Sequence, residues 1–186
     1  MDKDATIDQQ TRQMKCPARI AIVAPDLSKT GGLRTVAHYL SEVIEGTERY
    51  TADLVSLALS SRDRASVRLT RPDTWQHGVQ LLKERDDAHV YTHVGAGGAE
   101  VEYLRYQPRP ALTQHLQEYD LVQVVAGTPA WAQVCKGLGD TAVALQVATL
   151  TREERATVLQ GGYTPAALWR RWMAQLTDRL DHKALQ

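Results

Sequence analysis

The chain has 186 residues, and its 22 Lys and Arg balance 22 Asp and Glu, so the formal charge is zero. A neutral chain lacks the basic excess of general nucleic-acid binders. The two cysteines, Cys16 and Cys135, lie too far apart for a disulfide framework or a Cys-rich zinc site and suit a reducing cytoplasm, and no apolar run approaches the roughly 20 residues of a membrane-spanning helix.

The length suits one domain with a substantial core. Residues 1–17 are polar and mixed in charge with no apolar centre, so they read as a flexible leader, and 18–186 as the folded unit. Arg19 to Ala24 opens that unit with the run Ile20-Ala21-Ile22-Val23-Ala24, which fits a parallel strand buried on both faces. Pro25 to Gly32 is a turn-rich loop with Ser28 and the pair Gly31-Gly32. Leu33, Val36, Ala37, Leu40, Val43 and Ile44 then recur at helical spacing, with Gly46 as the C-cap. Strand, glycine loop and helix open a doubly wound α/β domain, whose ligand sits beyond the strand's carboxyl end at the helix N-terminus. The loop matches neither G-x-x-x-x-G-K-[ST] nor G-x-G-x-x-G, which leaves a plain helix-entry turn and a ligand loop both open.

Ala52 to Leu59 reads as the second strand, and Ser60 to Ala65 as a solvated loop. A short strand is expected over Gly78 to Leu82, and another in Val90 to Val94, where apolar and polar residues alternate. Gly95 to Gly98 is either a glycine-rich connection or a loop backing a ligand. His93 is either a structural strand histidine or a polar group beside the cleft. Glu100 to Tyr106 fits a short helix or an exposed strand, and Pro110 starts a helix containing Leu112, His115 and Leu116. Leu121 to Ala126 is a buried strand. Thr128 caps and Pro129 opens a helix burying Trp131, Val134 and Cys135. Ala142 to Ala148 is the next apolar strand, and Thr151-x-x-Glu154 forms a capping box. Gly161-Gly162 separates a last helix, capped by Thr164, whose apolar stripe is Leu168, Trp169, Trp172, Met173, Leu176 and Leu180. No strand follows it, as expected of a chain cut from a longer protein. The six histidines are scattered without ligand spacing, so no metal site is expected.

Two passages carry a resemblance. I-A-I-V-A-P-D-L-S-K-T-G-G-L-R-T-V-A-H-Y-L, from Ile20, resembles the opening of GT-B glycosyltransferases of the family-four retaining type. Y-D-L-V-Q-V-V-A-G-T-P-A-W-A-Q-V-C-K-G-L-G-D-T-A-V-A-L-Q-V, from Tyr119 to Val147, resembles that family's aspartate, strand, loop, helix, glycine and strand passage. Roughly Arg62 to Pro110 has no counterpart. The resemblance implies a Rossmann-like parallel sheet with helices on both faces, one half of a GT-B architecture. It implies the N-terminal, acceptor-binding domain of an enzyme that moves a sugar from a nucleotide-sugar to a hydroxyl acceptor. The donor is then a substrate, no cofactor is needed, and a second Rossmann-like domain supplies most donor contacts, so this chain alone is inactive.

On that basis Ser28, Gly31, Gly32 and Arg34 face the donor phosphate and acceptor cleft. His93, Gly127, Thr128, Gln146 and Thr149 are acceptor-side candidates, and no catalytic residue is identified. Many members of the family end the strand matching Ala142 to Ala148 with a histidine; here the residue available is Gln146, which hydrogen-bonds but cannot act as a base. The alternative is a non-catalytic Rossmann-like domain that binds a nucleotide or another protein.

Overall fold

The computed structural model describes residues 17–86, 89–156 and 164–186. Leader residues 1–16, Cys16 among them, and the Gly161-Gly162 break lie outside them. The central strand, β1 (Ala18–Pro25), is buried from Ile20 onward, as its continuous apolar run requires. It is followed by α1 (Gly32–Glu45), β2 (Tyr50–Leu57), β3 (Leu81–Arg85) and β4 (Val90–Val94). A 3-10 turn (Glu102–Tyr106), α2 (Pro110–Leu116), β5 (Leu121–Ala126), a second 3-10 segment (Pro129–Cys135) and β6 (Ala142–Val147) come next. The chain closes with α3 (Thr151–Glu154) and α4 (Pro165–Ala184).

One six-stranded sheet runs β3-β4-β2-β1-β5-β6. The pairs β1–β2, β1–β5, β2–β4 and β5–β6 are parallel, and only the edge strand β3 is antiparallel, to β4. This is a Rossmann-like α/β fold. Ile20, Ile22 and Ala24 of β1 point to one face, where Leu33, Val36, Ala37, Leu40 and Ile44 of α1 cover them. Ala21 and Val23 point to the other, where Trp131, Val134, Leu112, Leu116 and Leu180 pack. Tyr106 meets Trp131 edge-on at 4.9 Å between ring centroids. No helix among the described residues is long and apolar enough to cross a membrane.

Several expectations change. The short strand lies at Leu81–Arg85 rather than Gly78–Leu82. The segment after β2 is wet only in part: Ser60, Arg62 and Arg64 are exposed, but Ser61, Ala65 and the following Ser66 are buried. Its backbone lies against Gly95, where an added Cβ would fall 1.8 Å from the Ala65 carbonyl oxygen, and Val67 bridges Gly97. The Gly95–Gly98 run is therefore packed on protein. Gly46 holds the C-cap position of α1 in a right-handed conformation, so its left-handed freedom is unused there.

The expected stripe of α4 also divides. Met173 and Leu180 are buried, but Leu168, Trp169 and Trp172 are about half exposed, and the inward face is completed by Ala167, Ala174, Thr177 and Asp181. The rotation follows from Asp181. Its buried carboxylate accepts from the N–H of Ala130 and of Thr151, each at 2.7 Å, stapling α4 to two helical N-termini. That side chain replaces both expected caps. Thr128 precedes its 3-10 segment, but its hydroxyl caps nothing. Thr151 is inside α3 rather than before it: extended Leu150 takes the cap position, and its carbonyl accepts from Glu153 and Glu154 N–H. Thr164, by contrast, caps α4 as expected, accepting from Ala167 N–H at 3.2 Å.

Candidate functional site

In an open parallel sheet a ligand site forms outside the carboxyl ends of the strands, where the strand order reverses. Here that point lies between β1 and β5, since β1 leads outward to β2 on one side and to β5 on the other. The two halves of the carboxyl edge differ physically.

The β4–β2 half is filled. Arg109, between Pro108 and Pro110, is extended (φ −119°, ψ 119°), as a residue before proline must be. Its buried guanidinium donates to the carbonyls of Val94 (3.1 Å), Gly95 (2.7 Å), Ala58 (3.3 Å) and Arg105 (3.2 Å). Burial pulls its pKa down to about 10, with Asp63 pulling the other way. Beside it, buried His93 sits between Ser56 and Asp63, with Nδ1 3.3 Å from Ser56 Oγ and Nε2 3.0 Å from Asp63 Oδ2. Ser, His and Asp stand in the order of a hydrolase triad, but Ser56 is fully buried and its oxygen accepts the Leu27 N–H at 3.0 Å. With no opening for a substrate, the three residues tie the ends of β1, β2 and β4 together. His93 is thus placed in a structural network.

Asp26, at φ 47°, turns the chain out of β1, and its N–H donates to the Leu57 carbonyl at 3.0 Å. Burial would raise its pKa, but hydrogen bonds from Lys29 (2.6 Å) and Ser28 (2.5 Å) outweigh that and lower it. The Ser28 hydroxyl is therefore committed to Asp26.

The β1–β5–β6 half is open. A cleft of about 410 Å³ lies there, between Gly32, Leu33 and Val36 of α1, the end of β5 at Val125 to Gly127, and the end of β6 at Gln146 to Ala148. It brings Gly32, Gly127 and Gln146 into one wall set. Ala148 N–H donates to Ala126 O at 3.2 Å and Thr149 N–H to Gly127 O at 3.0 Å, which hold the two loops side by side. Gly31 precedes α1 with no side-chain cap, and no acidic residue lies in the first turn. The helix N-terminus thus keeps the partial positive charge of its amides. A Cβ on Gly31, Gly32 or Gly127 would meet no protein atom within 4 Å, so all three border open space. Leu33, Val36, Val125 and Val147 make most of the walls apolar.

The other candidate residues fall elsewhere. Arg34 turns away from the cleft to Asp86, at 2.9 Å. Thr128 is buried. A hollow of about 470 Å³ lies against Val143 and Leu145 of β6 and Lys183 of α4, but no helix N-terminus or strand-end loop opens into it. Arg109 was missed by sequence reading; the signal was an arginine held extended between two prolines. Asp63 and Asp181 carried no local signal. No family model matches the chain, and neither does any curated protein or solved structure.

Proposed function

We propose that the chain is the acceptor-binding half of a sugar-nucleotide-dependent glycosyltransferase. The observation that carries this is the open cleft at the switch point between β1 and β5, where the uncapped N-terminus of α1 meets Gly127 and Gln146. The two sequence passages that resemble the family-four retaining enzymes supply the walls of that cleft. Glycosyl transfer needs a leaving diphosphate stabilised by positive groups and an acceptor hydroxyl held at the anomeric carbon. The amides at Gly32 and Leu33 suit diphosphate oxygens, and the apolar side chains of Leu33, Val36 and Val147 suit the flat faces of a sugar or a base. The Gln146 amide donates and accepts toward a hydroxyl. The nucleotide-sugar is a substrate, and a second domain provides the other wall.

One observation favours a non-catalytic binding domain instead: none of the residues that line the cleft is titratable. The two are separated by assaying product from UDP-, GDP- and ADP-sugars, with this chain and with any longer product of the same gene. Turnover is expected only from a longer chain. Equal turnover by both would sink the two-domain proposal, and binding without turnover by any form would favour the non-catalytic domain.

A further inference from the structure

We propose that His38, Asp86 and His89 form a binding site for one zinc-class divalent ion. The site lies where α1 meets the turn between β3 and β4, on a different stripe of the helix from the cleft residues Leu33 and Val36. Arg34, His38 and Glu42 are spaced four apart and so stack along that stripe. The turn presents the other two residues together. Asp86 N–H donates to the His89 carbonyl at 3.0 Å, and His89 N–H donates to Asp86 Oδ1 at 2.7 Å.

One donor atom from each of the three side chains lies within 4.8 Å of the others. His38 Nε2 is 3.6 Å from Asp86 Oδ2, too long for a hydrogen bond. It is close to the roughly 3.3 Å that separates two ligands bound tetrahedrally at about 2.0–2.1 Å. The two imidazole centroids are 4.1 Å apart. His38 Nε2 and His89 Nδ1 are buried and have no hydrogen-bond partner. Buried polar atoms are ordinarily satisfied, and an ion between them satisfies both.

The surroundings fit the same role. With His89 bound through Nδ1, its Nε2 faces the Glu42 carboxylate, 3.7 Å away. Arg34 donates to Asp86 Oδ2 at 2.9 Å. Ligating histidines and carboxylates are commonly oriented by such outer partners. Two imidazoles and one carboxylate favour zinc and the later first-row ions, whereas magnesium and calcium favour oxygen donors. The Arg34 charge opposes any cation and weakens the site without changing that preference.

The test is zinc titration by calorimetry on EDTA-treated protein, for wild type and for the variants His38→Gln, His89→Gln and His182→Gln. One zinc per chain is expected, with at least about tenfold weaker binding in the first two variants and none of that loss in the third. Thermal midpoints in EDTA establish that each variant is folded. A measurement on the wild type alone covers a variant that fails to fold: substoichiometric Cu²⁺ should broaden the amide signals around residues 38, 86 and 89. The proposal is overturned by no zinc uptake, by unchanged affinity in both folded variants, or by broadening centred elsewhere.

Discussion

Replacing Gly95 with Ala, and separately Gly32 with Val, distinguishes a packed glycine loop from an open one. A Cβ at position 95 falls 1.8 Å from Ala65 O and 2.2 Å from Ala65 C, both backbone atoms. Ordinary carbon–oxygen contacts begin near about 3.3 Å, so the segment must withdraw by roughly 1.5 Å. That movement disturbs Gly95 N–H to Gln80 O (3.0 Å), Gln80 N–H to Ala65 O (3.0 Å) and Ala96 N–H to Ser66 Oγ (2.8 Å). At about 1 kcal/mol for each bond, with overpacking added, Gly95→Ala should cost about 3–5 kcal/mol. In a domain of this size that lowers the thermal midpoint by roughly 6–20 °C. Gly32 has no atom within 4 Å of its added Cβ and no left-handed φ. Valine in a helix is a few tenths of a kcal/mol better than glycine, so Gly32→Val should leave the midpoint within about 2 °C. Its effect should appear instead as weaker ligand binding at the cleft. Circular-dichroism melts of both variants decide the matter. A Gly95→Ala midpoint within about 2 °C of wild type would refute the packing argument.

Asp181→Ala removes two charge-assisted bonds to buried backbone N–H groups and should cost about 3–5 kcal/mol in urea melts. Asp181→Asn keeps one acceptor and should cost about half as much. Asp26 has a lowered folded-state pKa, so its contribution is full above the ordinary carboxylate value and lost as pH falls through the folded one. The stability gap between wild type and Asp26→Asn should hold above pH ~5 and close in stronger acid. It should stay under about 1 kcal/mol because Lys29 is exposed. Asn also tolerates the positive φ at this position. Burial pushes the Cys135 thiol up to about 12, so a Cys16→Ser variant should resist thiol reagents at pH 8 until unfolded; rapid native labelling would contradict the buried placement.

How much was legible from residues alone depended on how local the cause was. The strand β1 was readable because a strand covered on both faces needs a continuous apolar run, and Ile20 to Ala24 has one. The order of strand, glycine loop and helix also announced that Gly32, Gly127 and Gln146 would meet at one edge of the sheet, since parallel strands align their carboxyl ends. Arg34 could not be placed, because its partner Asp86 is 52 residues away. The Ser60–Ala65 loop read as wholly wet because nothing local shows that Asp63 turns inward to His93, 30 residues away, or that Gly95 makes room for the Ala65 backbone. The stripe on α4 misled for a related reason. Two backbone bonds to Asp181 set the rotation of the helix, overriding the preference of Trp169 and Trp172 for burial. His38, Asp86 and His89 meet only through the docking of α1 on a hairpin turn, so no ligand spacing was present to be read.

The most direct test of the cleft is a nuclear magnetic resonance titration of the ¹⁵N-labelled chain with UDP, GDP and ADP, followed by simple glycosides and polyols. Amide shifts are expected at Gly31, Gly32 and Leu33 with at least one nucleoside diphosphate. Shifts at Gly127 and at the Gln146 side-chain amide are expected with a hydroxyl-bearing acceptor. Gly32→Val should abolish the first set while the rest of the spectrum is unchanged. No shift at these residues with any of the ligands, or shifts confined to another surface, would contradict the assignment of this edge of the sheet as the binding site.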